Sequence, residues 1–569
     1  MYNINIVKKY LLLFLIIVLG FFLRVYKVDT VPSGVLVDEA ALGYNAYSVF
    51  KTGFDEHKIR YPLLFKSFGD YKPPAYFYSQ LPFIKLFGSN NFSLRFPSVL
   101  AGTLLILVVF FLFNNLGFGF TTSLFAAALT AFSPWTIILS RFALESNLGL
   151  LFFGIGLTFT IKYLREDKIL FAILAGVFFG LSWYGYIAYR MTTGLIIFFL
   201  FFYGFYKKLK PKNLIILVGV FFITIFPLFL TVFSKSTNAR FYQIGLLADK
   251  GPVMEIIESR TFCREDLPKL LCYLNSNKAT VLGRILFDRY LKTFSLDYLF
   301  VGGERSSGSY GVENFGLFSF FTIPLYLLGF IALFSHKKNK FIDTLKPLIF
   351  AGLLFGAMPS SIAGLSQKVR LSPLFPFVLI LIVWGFELLR EKFRGNTKTF
   401  YIFLSYFLVF YLCLVFLINF LTIDVRKQEI HYGNYIRNLM LYIADQKNTR
   451  IYMNANFSEP LIYYAYFSQY EPVKYQKDVK FSEPDGIGWI HAVRLDNIHL
   501  IGGGSDYIKI ICEERQKPGR AILITNEKLI EDVKNNSILY IGKTENDAMS
   551  LVYAYDMKKF PLEKNVCGN

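Results

Sequence analysis

The chain has 569 residues, of which 54% are hydrophobic and only 18% are charged, and its mean hydropathy is +0.44. An ordinary soluble domain carries about 25% charged residues, so a soluble globular class is excluded. The formal net charge of +20 would suggest nucleic acid in a soluble chain. Here many Lys and Arg residues lie in short loops between apolar runs, a pattern typical of cytoplasmic loops, and no nucleic-acid partner is expected.

Apolar runs of roughly 20 residues, long enough to cross a bilayer core, recur as far as residue 423. They predict about eleven transmembrane helices. These lie near residues 10–28, 92–113, 120–139, 146–163, 168–185, 191–206, 213–233, 315–334, 346–358, 371–389 and 399–423. The first run follows a basic N-terminal stretch but lacks a small-x-small cleavage site, so it is interpreted as an uncleaved anchor. The sequence predicts a multi-pass protein of the cell membrane.

Loop charge predicts the topology. With the N-terminus in the cytoplasm, basic loops such as "YKKLKPKN" and "SHKKNKFIDTLK" also face the cytoplasm, as the positive-inside rule requires. Three long segments then lie outside: the loops 29–91 and 234–314 and the tail 424–569. The tail mixes β-like runs such as "TRIYMNA" and "AILITN" with helical stretches. We therefore expect a membrane domain over 1–423 and a small extracytoplasmic α/β domain over 424–569.

Five cysteines are present, and Cys413 falls in an apolar run, where it is expected to be a small buried hydrophobe. The other four fall in segments predicted to lie outside the cytoplasm, where disulfides can form. Cys263–Cys272 and Cys512–Cys567 are the candidate pairs. No Cys/His cluster has the spacing of a zinc site.

Several short motifs stand next to the predicted spans. "VDEAALGY" carries the acid pair Asp38 and Glu39 just after the first span, and "YKPPAYFY" follows it. Each has a structural alternative: Asp38 as a helix N-cap with Glu39 in the first turn, and Lys-Pro-Pro as a turn that opens a helix. Two amphipathic pieces, about 39–50 and 74–87, carry aromatic residues and few charges, as helices that lie flat in the membrane interface do.

The order of these motifs resembles that of lipid-carrier-dependent glycosyltransferases with the GT-C fold. It is most similar to the protein O-mannosyltransferase and lipid A aminoarabinose transferase families, through "VDEAALGY", "YKPPAYFY", "SLRFPSVLAG" and "SPWTIILSRFALE" in that order. The resemblance covers residues 10–230 and continues weakly through "KVRLSPLFPFVLI" at 368–380. It implies a donor sugar on a dolichyl or undecaprenyl phosphate.

A polyprenyl-phosphate donor assigns roles to charged residues. The acceptor hydroxyl needs a base, for which we predict Asp38, while Glu39 would orient it, place the acceptor or help to hold a divalent metal ion. The leaving phosphate needs cations, and an arginine can bind it through two hydrogen bonds. The predicted phosphate ligands are Lys72, Arg141, Arg190 and, on the resemblance, Arg370. For Arg141 and Arg190 the alternative is snorkelling at the interface. No metal ligand set is assigned.

The predicted function is that of an integral-membrane, inverting glycosyltransferase. It moves a sugar from a polyprenyl-phosphate carrier to a hydroxyl acceptor, which could be a protein, a lipid or an envelope glycan, on the outer face of the membrane. An oligosaccharyltransferase or ligase with a pyrophosphate-linked donor would use the same geometry and stays open. A secondary transporter or lipid flippase would place ionisable residues near mid-span, where the chain has few. A membrane-anchored sensor would leave the charged motifs unexplained.

Overall fold

The computed structural model describes residues 2–232, 251–266, 268–304, 310, 312, 314–335, 340–363, 367–454, 459–485, 488–502, 507–530, 536–544, 550–562 and 567. The described chain forms two compact units. The first unit comprises Met1–Val28, Tyr71–Tyr76 and Arg95–Phe420. The second comprises Asp29–Asp70, Phe77–Leu94 and Leu421–Asn569, so the outer segment after the first helix groups with the tail. The functional division at residue 423 stays a prediction.

Helices dominate the chain up to residue 420. In chain order they are α1 (Tyr2–Val25), α2 (Val37–Thr52), α3 (Ala75–Phe87), α4 (Asn91–Asn115), α5 (Phe120–Phe132), α6 (Pro134–Arg141), α7 (Glu145–Glu166), α8 (Ile169–Gly185), α9 (Ile187–Tyr206), α10 (Pro211–Val232), α11 (Gly251–Asp266), α12 (Lys269–Asn275), α13 (Lys278–Lys292), α14 (Ile323–Phe334), α15 (Lys340–Ile362), α16 (Phe375–Lys392) and α17 (Gly395–Ile418). Two short strands, β1 (Phe65–Ser67) and β2 (Asp70–Lys72), precede α3. Part of the predicted 234–314 loop, residues 234–250, 267, 305–309, 311 and 313, lies outside the described residues.

The predicted spans are found as helices. Among the described residues, seven helices are long and apolar enough to cross a membrane, and α5 with α6 would make an eighth. Three shorter apolar helices, Tyr10–Val25, Ile169–Gly185 and Phe320–Phe334, overlap the remaining predicted spans. The predicted fold class, a polytopic α-helical membrane protein with a C-terminal α/β region, is confirmed.

One predicted span is broken. The run 120–139 was expected to be a single helix, but α5 ends at Phe132 and α6 begins at Pro134, with a bend of 50° between them. The residue before a proline avoids helical geometry, and proline is favoured at the first position of a new helix. Ser133 takes the N-cap position, and its hydroxyl accepts from the backbone N–H of Thr136 at 3.4 Å.

Glycines allow two of the membrane helices to approach closely. A Cβ added at Gly329 of α14 would lie 1.9 Å from the carbonyl oxygen of Leu381 in α16. A Cβ added at Gly385 of α16 would lie equally close to the carbonyl oxygen of Leu325 in α14. Small residues serve this purpose in membranes, where packing rather than water exclusion drives helix association.

The C-terminal part of the second unit is an α/β structure. Its helices are α18 (Val425–Tyr432), α19 (Asn434–Ala444), α20 (Pro460–Phe467), α21 (Pro472–Asp478) and α22 (Tyr507–Gln516). Its strands are β3 (Thr449–Asn454), β4 (Lys480–Phe481), β5 (Ala492–Leu495), β6 (Ile498–Ile501), β7 (Arg520–Thr525), β8 (Ile538–Lys543) and β9 (Ser550–Asp556). The sheet order is β4-β5-β6-β3-β7-β9-β8, with β3 parallel to both β6 and β7.

Both candidate disulfides are formed. Cys263 and Cys272 join α11 to α12 with a Cα–Cα distance of 5.6 Å, and Cys512 of α22 joins Cys567 at 5.4 Å. Cys413 is a buried thiol in α17, as its apolar surroundings in the sequence predicted.

Candidate active site

The acid pair opens helix α2 in the second unit. Leu36 occupies the N-cap position, and the carboxylate of Glu39 accepts a hydrogen bond from the backbone N–H of Leu36 at 3.2 Å. Glu39 is 1% exposed, whereas Asp38 is exposed. Asp38 is therefore not the N-cap that the structural alternative required. The two carboxylates therefore have different environments. Glu39 accepts a hydrogen bond from the N-cap backbone, and Asp38 is exposed in the same first turn.

A second acid pair, Asp55 and Glu56, lies beyond the end of α2 and was missed at the level of sequence. Asp55 forms a tight turn, since its Oδ1 accepts from the backbone N–H groups of His57 at 2.9 Å and Ile59 at 2.8 Å. Glu56 is 4% exposed; its Oε1 accepts from Nδ2 of Asn45 at 2.8 Å, and its Oε2 accepts from the hydroxyl of Tyr475 at 3.3 Å.

Burial shifts the titration of this second pair. It raises the pKa of Glu56 to about 7, although the hydrogen bonds from Asn45 and Tyr475 act in the opposite direction. It also raises the pKa of Asp55 above its usual range. Burial, followed by the charge of Lys66, lowers the pKa of His57 to about 4. Near neutral pH, His57 is therefore uncharged and Glu56 is close to half protonated.

The Lys-Pro-Pro motif lies in the first unit and joins β2 to α3. Lys72 ends β2 and is 5% exposed, and α3 begins at Ala75, directly after the two prolines. The predicted helix over 74–87 therefore starts where the prolines allow it to start.

Arg141 ends α6 and is 1% exposed. Its Nη1 donates to the carbonyl oxygens of Leu23 at 2.8 Å and Arg24 at 3.4 Å, and its Nη2 donates to those of Tyr26 at 2.8 Å and Lys27 at 3.4 Å. The last carbonyls of a helix have no partner within the helix. Arg141 therefore caps the C-terminal end of α1, a use of the guanidinium that its predicted phosphate contact did not anticipate.

Arg24 connects the same elements in the other direction, from α1 to α5 and α6, and this contact was not predicted from the sequence. The side chain is fully buried, and it donates to one carbonyl of α1 itself and to four groups of α5 and α6. Its acceptors are the carbonyls of Gly20, Ala131 and Thr130, at 2.9, 2.9 and 3.0 Å, and the hydroxyls of Ser140 and Thr136, each at 3.2 Å. Arg24 and Arg141 thus hold the end of α1 to the α5–α6 bend from both sides.

Arg190 and Arg370 lie on segments that hydrogen bonds join. Arg190 is in the first turn of α9, and the neighbouring Tyr189 hydroxyl donates to Oγ of Ser372 at 2.9 Å. Arg370 lies two residues before Ser372, is half-buried, and donates to the carbonyl of Ala363 at 2.8 Å. The start of α9 and the turn before α16 therefore bring these two predicted cations to adjoining parts of the first unit.

The same turn contains a buried lysine that the sequence analysis did not single out. Lys368 is 2% exposed; its Nζ lies 3.9 Å from a carboxylate oxygen of Glu304 and donates to the carbonyl of Tyr310. Its own carbonyl accepts from Nε1 of Trp135 in α6 at 3.0 Å. The turn is thereby tied to α6, which carries Arg141. The motif "VGGERSSGSYG" gave no signal for this pair, because the partners are 64 residues apart.

A divalent metal ion held with the help of Glu39 was one of the roles predicted for the acid pair. Among the described residues, no group of three or more His, Cys, Asp or Glu side chains has the arrangement of a metal site.

Comparison with known proteins gives a family match over part of the chain and a shared fold. A family model described as dolichyl-phosphate-mannose-protein mannosyltransferase matches residues 71–231, a range that contains Lys72, Arg141 and Arg190. The crystal structure of ArnT from Cupriavidus metallidurans in the apo state resembles the chain with a TM-score of 0.52 and 13% identity, over 97% of this chain and 98% of that one. The same protein bound to undecaprenyl phosphate gives a TM-score of 0.50 at 13% identity, over 96% and 97%. No curated protein matches the sequence significantly.

The chain is a membrane glycosyltransferase with a GT-C fold. The solved structures show the shared fold across nearly the full length, and the family model that matches residues 71–231 indicates the type of enzyme. The glycosyltransferase keeps its acid pair and its C-terminal α/β structure in one unit and its four predicted phosphate ligands in the other.

Proposed function

We propose that the enzyme transfers a sugar from a polyprenyl-phosphate carrier to a hydroxyl acceptor, with inversion at the anomeric carbon, on the outer face of the membrane. The donor class is supported by the matched family, whose description names a dolichyl-phosphate sugar, and by the ArnT structure bound to undecaprenyl phosphate. The basic short loops support an N-terminus in the cytoplasm, and hence an outer position for residues 29–91 and 424–569.

The observation that supports the mechanism is the difference in environment between the two carboxylates at the start of α2. Glu39 is buried and bound to the helix backbone, while Asp38 is exposed beside it. An exposed carboxylate can meet an acceptor hydroxyl, and a general base must come within hydrogen-bond reach of the proton that it removes. Asp38 is therefore the proposed base, and Glu39 is proposed to fix the turn that presents it.

The reaction is a single displacement. The acceptor oxygen forms a bond to the anomeric carbon on the face opposite the phosphate, the carbon–oxygen bond to the phosphate breaks, and the acceptor proton passes to Asp38. The polyprenyl phosphate leaves with its added negative charge, which fixed cations stabilise. Lys72, Arg190 and Arg370 are the proposed ligands of this phosphate. For Arg141, the capping of α1 supports a positioning role in preference to direct phosphate binding.

The acceptor class and the sugar are open to direct measurement. Purified enzyme in vesicles would receive a panel of radiolabelled polyprenyl-phosphate sugars together with a crude envelope fraction. We expect one donor to be consumed with transfer of label, and Asp38→Asn to lower kcat by about 10²–10⁴-fold, the usual contribution of a general base. Asp29→Asn, which removes another exposed acid of the same unit, should transfer at the wild-type rate. Wild-type transfer by Asp38→Asn would show that Asp38 is not the base.

A further inference from the structure

Helix α2 is enclosed to a degree that an interfacial helix would not be. The sequence predicted a helix that lies flat in the membrane interface, but ten of the 16 residues of α2 are buried. The side chains that cover it come mainly from α20, α21 and the residues between them, more than 400 positions further along the chain. This enclosure calls for an explanation, because the first turn of α2 carries the proposed base.

One contact depends on a missing side chain. A Cβ added at Gly43 would lie 2.4 Å from Cε2 and 2.9 Å from Cδ2 of the Tyr466 ring in α20. The Tyr466 hydroxyl donates to Oδ1 of Asn91 at 3.0 Å, so both ends of the ring are held. The absence of a side chain at Gly43 therefore allows the Tyr466 ring of α20 to pack directly on the backbone of α2.

A second contact is a buried polar bridge. Asn45 of α2 is fully buried; its Nδ2 donates to Glu56, and its Oδ1 accepts from the backbone N–H of Glu56 at 3.0 Å. Glu56 in turn accepts from the hydroxyl of Tyr475 in α21, which is 1% exposed. Buried polar groups favour one arrangement when every member has a partner. The bridge therefore defines the rotation of α2 about its axis, since only one face carries Asn45.

Three further hydrogen bonds, from the side chains of Tyr44 and Gln476, fix the position of α2 along its axis. The Tyr44 hydroxyl donates to the carbonyl of Tyr470 at 3.0 Å, and its ring lies 5.0 Å from that of Tyr475. The Gln476 amide donates to Oγ of Ser48 at 3.2 Å and to the carbonyl of Asp55 at 2.9 Å. These contacts come from the residues between α20 and α21 and from α21 itself.

We propose that the α20–α21 segment fixes the position and orientation of α2, with Glu56, Asn45 and Tyr475 as positioning residues for Asp38. Asn45 lies seven residues after Asp38, two helical turns or roughly 10 Å along the axis, so a change in the orientation of α2 is carried to its first turn. A misplacement of about 1 Å can cost about 10²-fold in rate. This inference rests on the proposed function, because it assigns a purpose to a helix whose first turn holds the base.

The test removes single atoms of the bridge. Tyr475→Phe deletes one hydroxyl, and Glu56→Gln replaces one acceptor oxygen by an amide, so both proteins should fold. We expect kcat to fall about tenfold or more in each. The KM for the donor should stay within twofold, and above pH 7 the midpoint of thermal unfolding should change little. The double variant should cost less than the product of the two single losses, because residues of one network are not additive.

Tyr540→Phe provides the matched control, since it makes the same substitution in the same unit at a residue that stacks on Tyr442. It should keep the wild-type kcat. Gly43→Ala is the stronger perturbation, because the added methyl group must displace the Tyr466 ring. If kcat in all three variants falls only in proportion to the loss of folded protein, the contacts serve stability alone and the inference is wrong.

The two proposals can fail separately. An active Asp38→Asn enzyme would remove both, because no base would then need positioning on α2. An inactive Asp38→Asn enzyme, together with a wild-type kcat in Tyr475→Phe and Glu56→Gln, would leave the proposed function in place and overturn only the role of the bridge.

Discussion

Each unit contains a buried charged cluster, and the two clusters differ in the sign of the charge and in its partners. In the first unit Arg24 and Arg141 are 0% and 1% exposed, and they bind mainly the carbonyl oxygens of helix ends. In the second unit Glu56 is 4% exposed and binds the side chains of Asn45 and Tyr475. A guanidinium stays protonated at every pH that a cell meets, whereas a buried carboxylate can escape its desolvation by taking up a proton. The contribution of Arg24 and Arg141 to stability should therefore be the same at any pH, whereas the contribution of Glu56 should change with pH.

The largest effect is expected at Arg24. Arg24→Leu removes a donor to five acceptors, and a hydrogen bond that is lost from a buried site costs about 1 kcal/mol or more. We expect the free energy of unfolding to fall by about 5 kcal/mol, seen as poor accumulation and a lower midpoint of thermal unfolding, with the same loss at pH 6 and pH 8. Arg394→Leu, at an exposed arginine, should change the midpoint little. A loss that depended on pH would contradict the comparison.

Arg141 tests whether the buried arginines of the first unit also bind substrate. Arg141→Lys keeps the charge but cannot bridge four carbonyls, because its ammonium is a compact point donor. We expect the free energy of unfolding to fall by about 4 kcal/mol, on the same count of about 1 kcal/mol for each hydrogen bond, with a donor KM within twofold of wild type. For Arg190→Lys and Arg370→Lys, proposed phosphate ligands, we expect the donor KM to rise about tenfold. If Arg141→Lys instead raises the donor KM and leaves the midpoint of thermal unfolding unchanged, Arg141 binds the donor phosphate as the sequence predicted.

Local patterns were sufficient to predict most of the fold. Apolar runs predicted the membrane helices, and short β-like runs predicted β3 (Thr449–Asn454) and β7 (Arg520–Thr525), because hydropathy and residue type are local properties of the sequence. The bend at Ser133 was missed, although the Ser-Pro pair carries a local signal for it. Reading that pair would have divided the span correctly.

The partners of the charged residues could not be predicted in the same way. The sequence placed Arg141 at the outer end of a helix but could not show that its acceptors are the carbonyls of residues 23–27. The Asp55 turn had a local signal in "FDEHKI", since an aspartate before a turn often accepts from the following backbone. The partner of Glu56 is Tyr475, 419 residues away, and no periodicity reports a contact at that separation.

The smallest effect concerns Glu56, and it depends on the sign of two neighbouring shifts. The pKa of Glu56 is raised to about 7, so its contribution to stability is complete below its unfolded value of 4.5 and is lost as the pH rises through about 7. The pKa of His57 is lowered to about 4, so its contribution is complete above 6.5 and is lost as the pH falls through about 4. Each is worth about 3 kcal/mol at most, and between pH 4.5 and 6.5 they oppose each other.

We therefore expect the midpoint of thermal unfolding of the wild-type enzyme to vary little across pH 4.5–6.5, and each single variant to expose the other group. Glu56→Gln should become more stable as the pH rises through this window, and His57→Gln should become less stable.

Glu514→Gln is the control, because burial there is outweighed by hydrogen bonds from Lys517, Arg450 and Tyr452 that lower the pKa of Glu514 to about 2. Its contribution is lost only as the pH falls below 4.5, so its removal should leave the profile above pH 4.5 unchanged. Identical profiles for Glu56→Gln and wild type would mean that Glu56 carries no buried charge to lose, and the second unit would then respond to pH no more than the first.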